Sequence, residues 1–152
     1  MRYIEKEDDK IEVIREILTS LTDWFGIPEA IEDYLKGSAR LPVFVIYECN
    51  EPIGVIAMQQ HFDNSAEIYV MGVKQQYHRS GVGKQLVEQG VTWCLEREIH
   101  FLQVKTLSAQ HPDLNYAKTR RFYETMGFHA IEVYPDLWDK SNPCLQMMKY
   151  IK

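Results

Sequence analysis

Ile11, Ile14, Ile17, Leu18 and Leu21 recur at intervals of three and four residues. That spacing puts apolar side chains on one face of a helix. A short strand over residues 2–5 precedes it. A second short helix is marked by Pro28, suited to a first helical position, and Gly37, suited to the position just past a helix end. Val43–Tyr47, Ile53–Phe62 and Glu67–Val73 are rich in β-branched and aromatic residues and read as strands. The turns between them are expected at Asn50-Glu51-Pro52 and Asp63-Asn64-Ser65, and connections this short predict antiparallel pairing. From Val82 to Glu98 the period returns to that of a helix. Leu86, Val87, Gly90, Val91, Cys94 and Leu95 form its apolar face, with Lys84, Glu88, Glu96 and Arg97 largely outside it. Phe101–Leu107 reads as a strand and Tyr116–Met126 as a helix closed by Gly127. Ile131–Tyr134 and Leu145–Ile151 supply two more strands. The order is strand, two helices, three strands, then helix–strand–helix–strand–strand, which predicts a mixed α/β chain built around one sheet.

The chain has 152 residues, 45% hydrophobic and 26% charged, so it is read as one folded domain, 1–152, with a core of its own. The net charge of −5 and the lack of a Lys/Arg cluster argue against a nucleic-acid partner. Cys49, Cys94 and Cys144 form no CxxC pair, which argues against a zinc site or a disulfide framework. Cys49 and Cys94 are expected to be buried apolar residues, as is Cys144 in its C-terminal strand. The charged N-terminus is unlike a signal peptide, and no apolar run approaches the ~18 residues of a membrane helix. A cytoplasmic protein with no membrane partner is expected.

The most informative segment is Val73-Lys74-Gln75-Gln76-Tyr77-His78-Arg79-Ser80-Gly81-Val82-Gly83-Lys84-Gln85-Leu86. A strand runs into a loop with two glycines and then into an amphipathic helix. The first amides of a helix lack partners and its dipole favours anions, so the segment is suited to phosphates. His78, Arg79 and Lys84 are placed to add positive charge. It is not a triphosphate loop, because Gln85 follows Gly83-Lys84 and His78 stands where the first glycine belongs. It is not a dinucleotide fingerprint, because Leu86 stands at the third glycine. A tight strand-to-helix turn with two glycines is the plainer reading.

His78-Arg79-Ser80-Gly81-Val82-Gly83 resembles the acetyl-CoA loop of the GNAT family of N-acetyltransferases, [QR]-x-x-G-x-[GA], with His78 at the first position. Tyr116 to Phe128, YAKTRRFYETMGF, is similar to that family's N-x-x-A-x-x-[FL]-Y-x-x-x-G-F. Phe122, Tyr123, Gly127 and Phe128 match. Tyr116 replaces the usual Asn, with Asn115 one residue earlier as the nearest substitute, and Thr119 replaces the usual Ala. The predicted element order follows the family's over nearly the whole chain, although the first 40 residues carry no motif.

The resemblance implies a central mixed, mostly antiparallel sheet of about seven strands with helices on both faces. It also implies acetyl transfer from acetyl-CoA to a primary amine by direct attack in a ternary complex. An acetyl thioester is already activated, so what remains is to align an uncharged amine, stabilise the oxyanion and protonate the thiolate. Residues 78–84 would hold the pyrophosphate, with Asn115 and Tyr116 contributing. Backbone groups of Met71, Gly72 and Val73 would meet the pantetheine arm. Gly72 within a strand is also read as a bulge, a close approach or a small residue under a helix. Tyr123 would be the general acid; the alternative is a core anchor for its helix. Glu67 would be the base, directly or through water; the alternative is a solvated carboxylate at a strand start. Trp24, Phe25, Tyr69 and Trp138 are the acceptor-site candidates, with core packing the competing role for the two tryptophans. The histidines are scattered, with surface or capping roles favoured over metal binding, though His111 could instead touch substrate. No metal is expected. Two competing functions are a CoA-binding module without turnover and a nucleotide-binding protein with an atypical loop. Exposed strand edges invite pairing, so a homodimer is expected; a purely monomeric boundary in sedimentation velocity at micromolar concentration would rule it out.

Overall fold

The computed structural model describes residues 1–152. Its elements are β1 (Arg2–Ile4), α1 (Glu7–Thr19), α2 (Pro28–Ser38), β2 (Val43–Glu48), β3 (Glu51–Phe62), β4 (Ser65–Val73), α3 (Val82–Leu95), β5 (Phe101–Leu107), α4 (Leu114–Thr125), β6 (His129–Asp139) and β7 (Asn142–Tyr150). The strands form one mixed seven-stranded sheet in the order β1-β2-β3-β4-β5-β7-β6. The chain divides into two compact units. The first holds Met1–Gln59 and Ile68–Trp93, the second Gln60–Glu67 and Cys94–Lys152.

In the first unit β3 is buried along most of its length. Its alternate residues serve different helices. Val55 and Ala57 belong to the cluster formed with Ile14, Ile17 and Leu18 of α1, Ile31 and Leu35 of α2, and Val43 and Val45 of β2. Gly54, Ile56 and Met58 lie on the other face, where Val82, Leu86 and Gly90 of α3 approach. A Cβ on Gly54 would stand 2.8 Å from Val82 and 3.1 Å from Leu86, so the glycine sets how closely α3 docks. Gly72 does the same for α1, since its Cβ would meet Ile17 at 3.0 Å and Leu21 at 3.2 Å. Of the readings open for Gly72, the small residue under a helix describes this contact.

The β2–β3 turn and the end of α2 differ from expectation. The β2–β3 turn is Cys49-Asn50, at φ 50° and 66°, and Glu48 pairs with Glu51 across it. Consecutive positive φ values make a two-residue hairpin that follows the strand twist. Pro52 therefore lies inside β3, opposite Tyr47 at an irregularity in the ladder, where a missing N–H is tolerated. Gly37 is not past the end of α2 but within it. A Cβ there would fall 1.9 Å from the Tyr69 hydroxyl, so the glycine makes room for that ring over the helix backbone.

In the second unit β7 pairs antiparallel with β5, from Phe101↔Tyr150 to Leu107↔Cys144, and with β6. Leu102, Val104, Phe128 and Met147 are buried. β6 is longer than expected and takes in Trp138, which is 41% exposed. Trp138 thus lies on a strand.

Helix α3 stops at Leu95, short of the expected Glu98. The Ile99 amide bonds the Cys94 carbonyl at 2.9 Å and the Glu98 amide bonds that of Leu95 at 3.2 Å. Glu98 takes φ 57° to close this cap, a position that favours glycine. Leu95, assigned to the apolar face, is 51% exposed because the helix ends there. Since a side chain in this conformation costs roughly 1–2 kcal/mol, Glu98→Gly is expected to raise the melting temperature by roughly 2–8 °C. A lower value in differential scanning calorimetry would contradict the cap.

Candidate functional site

The first unit carries the strand–loop–helix segment. Lys74 leaves β4 anchored on both sides. Its amide bonds the Ile53 carbonyl at 2.9 Å and its ammonium lies 2.6 Å from Glu16 of α1. A single 3-10 turn, Gln75–Tyr77, follows. The Tyr77 hydroxyl donates to the Glu48 carboxylate, which holds the phenol above its ordinary pKa. The His78 ring donates from Nε2 to the Val73 carbonyl at 2.7 Å; a carbonyl only accepts, so that nitrogen carries the proton. Trp24 meets the same ring edge-on at 5.3 Å. Ser80 Oγ donates to the Tyr77 carbonyl.

Two residues then reverse the backbone, Arg79 at φ 62° and Gly81 at φ 88°. The Gly81 carbonyl accepts from the Gln85 amide at 3.0 Å, so Gly81 caps α3. The amides of Val82, Gly83 and Lys84 are consequently the first-turn donors that have no acceptor within the helix. Nothing lies within 4 Å of where a Cβ on Gly81 would be. The result is a set of N–H groups at the positive end of a helix, with free space beside Gly81, the arrangement that suits a phosphate. Of the three expected cations, the His78 ring is committed to Val73 and Lys84 sits 3.8 Å from Glu88. Arg79 remains exposed.

Around Tyr69 the same unit gathers an aromatic run. Tyr34 meets Tyr69 at 5.7 Å and Phe25 at 5.9 Å, both edge-to-face. Trp24, Phe25, Tyr34 and Tyr69 are all half-buried. Tyr34 was not singled out from sequence, where a tyrosine in a helix has no distinguishing signal.

The second unit carries Glu67 and Tyr123. Glu67 is 7% exposed, which removes the solvated reading. One of its oxygens lies 2.9 Å from His61 Nε2 and the other 2.5 Å from Lys105 Nζ. His61 therefore has a carboxylate partner rather than a plain surface role. Neither His61 nor Lys105 was legible as its partner, because they come from β3 and β5. Tyr123 is buried against Phe128 at 5.4 Å. The Phe128 amide bonds the Tyr123 carbonyl at 3.0 Å and the Gly127 amide bonds that of Glu124 at 3.0 Å, with Gly127 at φ 91°. This is the two-bond helix cap with its apolar contact, so Tyr123, Gly127 and Phe128 of the second motif form one local structure.

At the other end of α4, Asp113 accepts from the Asn115 and Tyr116 amides at 2.8 and 3.1 Å. Asp113 is a helix-capping residue that its place before the helix could have revealed. His111 accepts from the Asp113 amide at 3.2 Å, a capping role. No three His, Cys, Asp or Glu side chains are arranged to hold a metal ion, and no helix is long and apolar enough to cross a membrane.

The acetyltransferase (GNAT) domain model matches residues 39–130, more than half of the 152 residues. This chain belongs to the GNAT acetyltransferase family.

Among solved structures, an assigned GNAT member from Desulfovibrio desulfuricans superposes with a TM-score of 0.79 at 17% identity, covering 99% of each chain. The ribosomal-protein-alanine N-acetyltransferase of Escherichia coli gives 0.75 at 17% identity, covering 99% of this chain and 94% of its own. An aminoglycoside 6′-N-acetyltransferase complexed with coenzyme A gives 0.73 at 16% identity, covering 100% and 98%. Likeness at these identities shows the GNAT fold. A comparison with curated protein sequences gives no match.

This GNAT chain differs from expectation at one of its three cysteines, Cys49. Cys94 and Cys144 are buried, and burial pushes their thiols up to about 12 and about 11. Cys49 is exposed at the hairpin turn, not in the core. An aromatic disulfide reagent at pH 8 should therefore modify one thiol quickly in the native protein and three after denaturation. Above the ordinary thiol value of 9.0, the unfolded chain loses protons that the folded one keeps. Stability should then fall as pH rises. Rapid reaction of all three thiols would contradict the burial.

Proposed function

We propose that the chain transfers an acetyl group from acetyl-CoA to a primary amine by direct attack in a ternary complex. One observation carries this reading: the loop closed by Gly81, with its positive φ, open Cβ direction and first-turn amides of α3. That group of donors fits a pyrophosphate. Residues 78–84 bind it, with Asn115 and Tyr116 assisting. Met71, Gly72 and Val73 offer backbone groups to the pantetheine arm, although the Val73 carbonyl already accepts from His78. Tyr123 donates the proton that the departing sulfur requires; a thiol titrates near ~8.5, so modest help suffices. Glu67 belongs to the path by which the ammonium loses its proton. Trp24, Phe25, Tyr69 and Trp138 present aromatic surface to the amine's apolar body.

The engagement of both Glu67 oxygens favours a second reading, a CoA-binding module without turnover. Kinetics separate the two.

Thermal unfolding with acetyl-CoA, ATP and NAD is the first test. At 100 times its Kd, acetyl-CoA should stabilise the fold by about 2.7 kcal/mol, or roughly 5–10 °C, with ATP and NAD doing less. Gly81→Val should abolish that shift. Tyr123→Phe keeps the ring packed on Phe128 and should lower kcat about 100-fold with the acetyl-CoA shift intact. A larger shift with ATP or NAD would overturn the reading. Release of no free CoA with any amine would leave the binding module in its place.

A further inference from the structure

We infer that His61 receives the acceptor's proton, with Glu67 as its positioning partner and Lys105 as the countercharge; the inference rests on the acetyl-transfer reading. Glu67 is poorly arranged to accept a proton itself. It is nearly inaccessible, and both its oxygens are engaged, by His61 at 2.9 Å and Lys105 at 2.5 Å. Taking a proton would break one of these contacts and leave a buried group short of a partner. The side chains of His61 and Lys105 are 34% and 31% exposed against 9% for Glu67; a lysine ammonium has no lone pair to take a proton, so of the imidazole and the carboxylate it is the imidazole that a ligand or water reaches.

The hydrogen bond fixes which nitrogen is available. A carboxylate only accepts, so Nε2 carries a proton, and in the neutral ring Nδ1 is the nitrogen with the lone pair. A carboxylate behind an imidazole holds its tautomer and stabilises the cation formed when it takes a proton. In the step itself an N–H bond of the ammonium breaks and its electron pair stays on nitrogen, which becomes the nucleophile. The proton bonds Nδ1, and the imidazolium lies between Glu67 and solvent until water removes the proton. The groups facing this set are Glu67 from β4 and Lys105 from β5. Cys144 from β7 lies within electrostatic reach of Glu67 and Lys105. Its thiol, pushed up to about 11, stays neutral and adds no charge.

His61→Gln retains an N–H donor toward Glu67 but cannot titrate. It should lower kcat/KM at neutral pH about 100-fold, remove the acid-side limb of the pH–rate profile and leave the acetyl-CoA thermal shift unchanged. Glu67→Gln should move that limb without removing it. Long-range 1H–15N spectra of the free wild-type protein should show neutral His61 protonated on Nε2. A ring protonated on Nδ1, or a His61→Gln enzyme with the wild-type pH profile, overturns the proposal alone. Wild-type protein that shows the Nε2–H ring yet acetylates no amine overturns the acetyl-transfer reading instead.

Discussion

The two-sided burial of β3 is the constraint on which the first unit depends. One face of the strand closes the core with α1 and α2, and the other receives α3. A strand covered on both sides cannot slip its register without exposing one apolar set and burying a mismatch. The pose of α3 is therefore fixed by packing along its length. Its N-terminus inherits that rigidity, and the loop from His78 to Gly81 has only to join two ends already held in place. The anchors on that loop are correspondingly local: Lys74 on Glu16, Tyr77 on Glu48 and His78 on Val73.

The two functional motifs are held by different physics. The first depends on backbone conformation. Gly81 turns into α3 through a positive φ and leaves free space where a side chain would stand, so what the loop presents is main-chain donors. This explains why a histidine is tolerated at the first motif position: its ring bonds inward to Val73, and the amides remain. The second motif depends on a helix end. The cap that joins Tyr123, Gly127 and Phe128 holds the tyrosine against an aromatic partner. The spacing Y-x-x-x-G-F is thus a structural requirement before it is a chemical one.

The charge set around Glu67 has another logic. A carboxylate this buried needs opposite charge and hydrogen bonds, and it has both from His61 and Lys105. The outcome is a carboxylate better placed to orient a neighbour than to act alone. The aromatic run through Phe25, Tyr34 and Tyr69 is also positional, because Tyr69 crosses α2 only where Gly37 leaves room.

By itself the sequence determined what is local. Helical periodicity, β-branched and aromatic runs and the Pro28 and Gly37 signals together placed the strands and helices in their observed order, and the strand over Phe101–Leu107 matches β5. Glycine chemistry identified the α3 loop and the Gly127 cap. Where it erred, competing contacts decided. Gly37 resembled a helix stop, but the Tyr69 ring explains it. Asn50-Glu51-Pro52 resembled a turn, but Cys49 and Asn50 adopt the positive φ values a two-residue hairpin needs. Glu98 capped a helix without being glycine. Only the tertiary structure could decide the surroundings of Glu67. Side chains from β3, β4 and β5 meet there at separations of 6 and 38 residues. No local pattern encodes that meeting, because it follows from strand order and register, which the whole sheet sets.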